Sequence, residues 1–353
     1  MRRPALLSAV LVVLATALAA QSRSPKILVL YDMEGVSRAT DVKHTNYGYA
    51  AEYKAGREAL TDDVNAAIAG LRSAGVSDIV VVDGHGSGNT SEPDVIESRL
   101  LAPAKMIQRD APFDIYMDSY DHSYDAIVAI AMHAGAGNLD GFLSHTYSGA
   151  GRDYRVNGVP FNETMILAAG AARLKIPVIM VSGDDQLEKE LRRQLPWVQY
   201  AAVKHAVDRT RAEPLPPEEV RRRIETAART AIETLESART FDVPGPYRFA
   251  ITFGTEAMAT HAALLAGAEP GPVPNSVQVR GNDFEEAYRR SLRLYSLAGF
   301  AQRLATLNAA VADAPNAAEL RQRMLDWSDD RFLYRPLPAT PAAPAPARFW
   351  GAR

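Results

Sequence analysis

Lys26-Ile27-Leu28-Val29-Leu30-Tyr31 runs directly into Asp32-Met33-Glu34-Gly35. A near-continuous apolar, β-branched run of this length suits a strand buried on both faces of a sheet. Three further runs have the same character: Asp78–Val82 (DIVVV), Ala126–Met132 (AIVAIAM) and Pro177–Val181 (PVIMV). Helical patterns lie between them. In Tyr53–Ala74, Leu60, Val64, Ala67, Ile68 and Leu71 recur at spacings of three and four. Gly75 is placed to end that helix, and Thr61-Asp62 marks its start or a break before it. Glu163–Leu174 (ETMILAAGAARL) reads as a second helix with Asn162 as N-cap. Strands alternating with helices predict an α/β fold with a largely parallel sheet and flanking helices.

This α/β pattern defines a first, larger domain over 24–245. Its last helical stretch, Pro217–Ser237, is rich in arginine and glutamate, as expected of a solvated face with i,i+4 pairs. Pro244-Gly245-Pro246 then breaks the pattern. A strand over Tyr247–Phe253 and a helix over Asp283–Leu307 predict a smaller C-terminal α+β subdomain, 246–310. The Pro/Ala-rich tail, 336–353, has the composition of a disordered segment. There is no internal repeat.

The chain has 353 residues, 47% hydrophobic and 23% charged, the profile of a folded globular protein. A formal charge of -3 gives no basic surface of the kind nucleic acid requires. Residues 1–19 read as a signal peptide. Arg2 and Arg3 precede the apolar stretch Ala5–Leu18, and Ala17-Leu18-Ala19 is a small-x-small cleavage site. The expectation is a protein exported to the periplasm or secreted, with no stable membrane association after processing. The competing reading is a membrane anchor, for which the stretch is short. The absence of cysteine excludes a lipoprotein anchor and thiolate ligands, so any metal must use His, Asp or Glu.

The chemistry is written where strands end. After the first come Asp32 and Glu34, after the second Asp83 and His85, after the third His133, and after the fourth Asp184 and Asp185. Ligands of open α/β sheets bind at the carboxyl ends of the strands. Residues two apart in extended chain point the same way, so Asp32 with Glu34, and Asp83 with His85, would project as pairs. A lone Asp-x-Glu is usually a surface or capping acid, and a lone His after a strand is usually a satisfied core residue. Three strand ends carrying such residues together point to a divalent metal. A mixed His/carboxylate set suits zinc ahead of manganese or cobalt.

The motifs Asp32-Met33-Glu34-Gly35, Asp83-Gly84-His85, Met132-His133-Ala134, Ser144-His145-Thr146 and Asn162-Glu163 resemble, in order and spacing, the D-aminopeptidase (DppA-type) family of binuclear zinc peptidases. Val181–Asp185 and Ala202-Val203-Lys204 are also similar, and the likeness runs from about Lys26 to Leu307. The resemblance implies two Zn2+ ions bridged by Asp32, with Glu34, His85, His133 and Glu163 as further ligands. His145 matches the family's catalytic position, for which a proton shuttle suits the chemistry better than covalent attack. A homo-oligomer acting on short peptides, with D-residues among the candidate substrates, follows from the same resemblance. Asp83 is placed either to orient a ligand histidine or to cap a turn. One of Lys204 and His205 is a candidate to face the site. Tyr116, Tyr120 and Tyr124 read as packing, His44 and His122 as surface or pocket-rim residues, and His261 as structural. Two rivals stand beside the peptidase: another metal-dependent amidase or esterase on the same scaffold, and an exported solute-binding protein.

Overall fold

The computed structural model describes residues 23–86, 92–333 and 350; the side chains of 330–332 are not described. The signal-peptide call therefore lies outside the described residues, as does the tail call apart from Trp350.

Among the described residues, twelve strands and seven α-helices follow in chain order. The strands are β1 (Lys26–Tyr31), β2 (Asp78–Asp83), β3 (Lys105–Met106), β4 (Ala126–Met132), β5 (Gly151–Val156), β6 (Val159–Pro160), β7 (Val178–Asp184), β8 (Gln199–Asp208), β9 (Arg211–Pro214), β10 (Tyr247–Phe253), β11 (Glu269–Pro270) and β12 (Ser276–Gly281). The helices are α1 (Ala50–Ser73), α2 (Glu163–Ala172), α3 (Asp185–Gln194), α4 (Pro217–Glu233), α5 (Glu256–Ala262), α6 (Phe284–Asp313) and α7 (Ala317–Phe332). No described helix is long and apolar enough to cross a membrane.

The main sheet has the order β3-β2-β1-β4-β7-β8-β9. Its pairs are parallel except β8 with the edge strand β9. The chain steps outward from β1 to β3, returns to the far side of β1 for β4, and then steps outward the other way. The switch point lies between β1 and β4. Tyr31 is level with Asp83 on one side and Ile130 on the other, so the residues after these three strands emerge together.

Alternation along β1 sorts the two faces. Ile27, Val29 and Tyr31 pack with Leu60, Val64, Ile68 and Leu71 of α1 and Val220 and Ile224 of α4. Leu28 and Leu30 pack on the opposite side with α2, α3 and the second sheet. α1 runs unbroken through Thr61-Asp62, contrary to the expected start or break. The Thr61 hydroxyl donates to the Arg57 carbonyl (2.7 Å) and accepts from Ile96 N–H (2.9 Å), so the residue is satisfied inside the helix. Gly75 ends α1 at φ +88°, and Val76 N–H reaches back to Leu71 O (3.1 Å).

The second sheet is antiparallel, ordered β11-β12-β10-β5-β6. Its β5–β6 hairpin comes from between β4 and α2, so the boundary proposed at 246 runs through this sheet. Phe249, Val279, Tyr288 and Leu294 share one core with Leu28 and Leu30.

Candidate metal centre

The site lies at the switch point. Asp32 follows β1, its N–H still paired to Ile130 O (2.9 Å). Its Oδ1 accepts from Met33 N–H (2.8 Å), which leaves Oδ2 aimed across the gap to His133 Nε2 at 3.2 Å. The chain then curls so that Glu34 faces the same space. Gly35 makes that curl possible: its N–H pairs with Ala131 O (2.8 Å), and a Cβ there would lie 2.0 Å from Met132 O. Lys204 on β8 fixes the rest of the loop. Its fully buried ammonium donates to the carbonyls of Glu34 (2.5 Å), Val36 (2.9 Å) and Ala39 (2.9 Å), and lies over the Phe142 ring. His205, its neighbour, is exposed beside Asp185.

His133 is aimed by a distortion of β4. The register slips between Ala129 and Met132, and Ala131 has φ +61°, a left-handed conformation uncommon for a residue with a Cβ. Ser182 Oγ accepts the Ala131 N–H (2.9 Å) that the slip frees from the ladder. On β2, Asp83 organises the turn and makes no hydrogen bond to the His85 ring. It accepts from His85 N–H (3.0 Å), Gly86 N–H (3.1 Å) and Asp94 N–H (3.0 Å). The carboxylate on the His85 ring is instead Asp94, whose Oδ2 is 2.8 Å from Nδ1. His85 Nε2 then lies 3.6 Å from Glu34 Oε1.

Glu163 opens α2 behind Asn162, whose side chain caps Met165 N–H (2.9 Å) as expected. Its Oε1 accepts from Tyr147 N–H (2.7 Å) and its Oε2 from the Tyr116 hydroxyl. Oε1 is 3.7 Å from His133 Nε2 and 3.9 Å from His145 Nε2. Glu190 ties these segments together by accepting from Gly135 N–H (3.1 Å), Asn138 (2.7 Å) and Asn162 (2.8 Å).

The result is two donor groups, Asp32/Glu34/His85 and His133/His145/Glu163, each with its ligand atoms within 4.8 Å of one another. Asp32 stands between them through its contact with His133. Each imidazole has Nδ1 committed: His85 to Asp94, His133 to Ala134 O (2.9 Å) and His145 to Leu143 O (2.8 Å). With the proton on Nδ1, each Nε2 presents a lone pair. Asp32 Oδ2, Glu34 Oε2 and His133 Nε2 are buried and have no hydrogen-bond partner. Acceptor atoms converging without donors are what a divalent cation satisfies. The residues therefore fit a metal pair.

The electrostatics agree. Burial, reinforced by Glu34, pushes the Asp32 carboxyl up to about 7. Burial opposes charge on Glu34 too, but His85 outweighs it and holds this carboxyl well below the usual range. Burial likewise works against charge on His133, yet Glu163 and Asp32 prevail and hold the imidazole well above its ordinary value. A field that draws protons onto buried imidazoles draws metal cations as well. His145 is the exception, held down by burial and by His133.

All six residues singled out in the sequence, Asp32, Glu34, His85, His133, His145 and Glu163, are brought to this one place. The fourth strand end is not. Asp184 caps α3 through Gln186 and Leu187 N–H and accepts from Phe142 N–H. Tyr116 is more than packing, since its hydroxyl engages Glu163, whereas Tyr120 bonds to the Tyr116 carbonyl and Tyr124 lies under Lys26. Asp94 carried no signal in sequence: it is a single acid after Pro93 in a loop, eleven residues past Asp83.

Comparison with known proteins agrees with this geometry. The D-aminopeptidase family of peptidases (M55) matches residues 26–292. A D-aminopeptidase of Bacillus subtilis (strain 168) is 28% identical over 274 residues, covering 77% of this chain and 97% of its own. A solved structure, described as Zn-dependent D-aminopeptidase DppA from Bacillus subtilis, a self-compartmentalizing protease, superposes with a TM-score of 0.71 at 27% identity. It covers 77% of this chain and 97% of its own. With the match spanning most of the chain and the acids and imidazoles gathered at the sheet's switch point, the chain belongs to the D-aminopeptidase family of metallopeptidases.

Proposed function

We propose that this chain is an exported, zinc-dependent aminopeptidase that releases N-terminal residues from short peptides, D-residues among them. The observation that carries the reading is the convergence of three imidazoles, each with Nε2 turned inward, on the carboxylates of Asp32, Glu34 and Glu163, with Asp32 Oδ2, Glu34 Oε2 and His133 Nε2 buried and unpartnered. Asp32, Glu34 and His85 would hold one zinc ion and His133 and Glu163 the other, with Asp32 shared between them. Bound zinc supplies Lewis-acid activation of water and of the scissile carbonyl.

The protein's own groups handle position and protons. Leu143 O fixes the His145 ring with Nδ1 as donor, so Nε2 is the atom that can take a proton and pass it to the leaving amine. Burial and the neighbouring His133 position keep that imidazole below its ordinary value, which favours the neutral base near pH 7. Tyr116 and the Tyr147 N–H hold Glu163 in one rotamer.

The neighbour's self-compartmentalizing description supports a homo-oligomer here as well. Family membership sets aside the solute-binding rival and leaves amide or ester bonds as the other substrates to assay. The leader in 1–19 supports export, and N-terminal sequencing of the exported protein should give a start near Ala20. An intact Met1 in a membrane fraction would point to an anchor.

The experiment is a panel of L- and D-aminoacyl peptides, amides and esters, assayed before and after chelation. Activity should vanish with the metal, return with zinc and favour free N-terminal peptides. Full activity in metal-free protein would sink the proposal.

A further inference from the structure

Three imidazoles face the site, and their Nδ1 partners are not alike. His133 and His145 are held by main-chain carbonyls, of Ala134 and Leu143. His85 alone is held by a carboxylate, Asp94 Oδ2, at 2.8 Å. A carboxylate behind an imidazole makes the opposite nitrogen a stronger donor to a cation than a neutral carbonyl does. We propose that Asp94 is a positioning residue that makes the two metal positions unequal, rendering the Asp32–Glu34–His85 group the tighter of the pair. The proposal rests on the zinc reading above.

Asp94 is built for a fixed role. Its side chain is fully buried. The Tyr53 hydroxyl donates to Oδ1, which leaves Oδ2 for His85. Its N–H is anchored on Asp83 Oδ2 (3.0 Å), and Asp83 in turn holds the His85 N–H (3.0 Å). Arg57 grips the backbone on both sides, at Pro93 O (3.0 Å), Asp94 O (2.8 Å) and Val95 O (3.2 Å). The backbone is pinned, and the carboxylate cannot swing away from the ring without breaking the Tyr53 bond as well.

The second group differs in the opposite sense. Its one carboxylate, Glu163, already accepts a hydrogen bond at each oxygen, from Tyr147 N–H and the Tyr116 hydroxyl. Both bonds draw electron density away from the atoms that face His133. In the first group, Glu34 Oε2 has no such donor, and Asp32, common to both groups, does not distinguish them. Anionic support behind His85 and the undonated Glu34 oxygen beside it act together, and the second group has neither.

Loss of an outer carboxylate partner typically weakens metal affinity by about 10–100-fold. The test is a zinc titration of chelator-stripped protein against a competing chromophoric chelator. Wild type should bind in two distinguishable steps. Asp94→Asn, nearly isosteric and still able to accept from Nδ1, should weaken the tight step by about 10–100-fold and leave the weak step in place. Circular dichroism of the stripped protein should be unchanged. Two equal steps in wild type, a tight step untouched by Asp94→Asn, or both steps weakened alike would overturn the proposal. Should Asp94→Asn fail to fold, His133→Ala must keep the tight step and His85→Ala must lose it, and the reverse order also overturns it. A wild-type protein that binds no zinc overturns the zinc reading itself, which separates the two failures.

Discussion

His133 and His145 stack ring on ring, with centroids 4.2 Å apart and planes 11° from parallel, and both Nε2 atoms lie within 4 Å of Glu163 Oε1. One ring is buried among carboxylates that favour its charge, and the other is held below its ordinary value. The pair thus divides into a fixed ring and a proton-carrying ring.

That division predicts the behaviour of His145→Ala. The variant should fold and keep its metals, and kcat should fall by about 10²–10⁴, the usual worth of acid–base help. Because the base must be neutral, the acid limb of wild-type kcat/KM should fall below pH 6.5, the side to which burial and His133 shift it. Metal analysis of the variant separates the roles: loss of zinc would make His145 a ligand, and wild-type kcat would make it a packing residue.

Asp32 is expected to matter to both metal positions. It shares a donor group with Glu34 and His85, and its Oδ2 contacts His133 of the other group. Asp32→Ala should lose both metals, while Glu34→Ala and His133→Ala should each lose mainly one. Elemental analysis of the purified variants gives the count, and normal occupancy in Asp32→Ala would remove it from the site.

Lys204 should be needed for folding and for Glu34 alike. Its ammonium offers three donors to three loop carbonyls, whereas a neutral amine would offer only two. Burial pulls this lysine down to about 7, against the attraction of Asp184, Asp63 and Glu34, which favours the charged form. Lys204→Met would leave those carbonyls buried and unpaired at about 1–3 kcal/mol each, so a loss of several kcal/mol is expected in urea unfolding. Zinc should weaken with it, because the freed loop carries Glu34. Unchanged stability would mean that water or another donor replaces the ammonium.

The sheet and the strand-end residues Asp32, Glu34, His85 and His133 were legible because both depend on local pattern, whereas Glu163 and His145 entered only through the family resemblance. KILVLY and AIVAIAM can be buried on two faces only in the middle of a parallel sheet, and chemistry in such sheets collects at strand ends. The supports were not legible because they depend on tertiary placement. Asp94 meets His85 only because the segment around Asp94 lies against α1, where Arg57 and Tyr53 hold it. Tyr116 reaches Glu163 from forty-seven positions away. Asp83, two residues before His85, was the natural candidate for the ring's partner by spacing. The turn rotates its carboxylate onto backbone N–H groups instead. The β5–β6 strands were missed because short hairpins carry little periodicity.

Asp63 gives a prediction about pH. It lies buried on α1 and clamps the same loop that Lys204 holds, accepting from Ser37 N–H and Oγ, each at 2.8 Å. Burial pushes its carboxyl from 3.8 up to about 6, against the pull of the Ser37 hydrogen bonds and of Arg38 and Lys204. The folded state therefore holds the proton more tightly than the unfolded chain. Between about pH 4 and 6 the native protein carries more protons, so stability from this group falls as pH rises through that window. Below the window the group costs nothing, and above it the full penalty applies. Asp63→Asn stays neutral throughout and can still pair with Ser37 through its amide. Its stability relative to wild type should rise across the window by on the order of 3 kcal/mol, at 1.36 kcal/mol per unit. Urea unfolding of both proteins in chelator, from pH 4 to 6.5, measures the difference. A difference that stays flat across this range would show that Asp63 ionises in the fold as easily as in the unfolded chain.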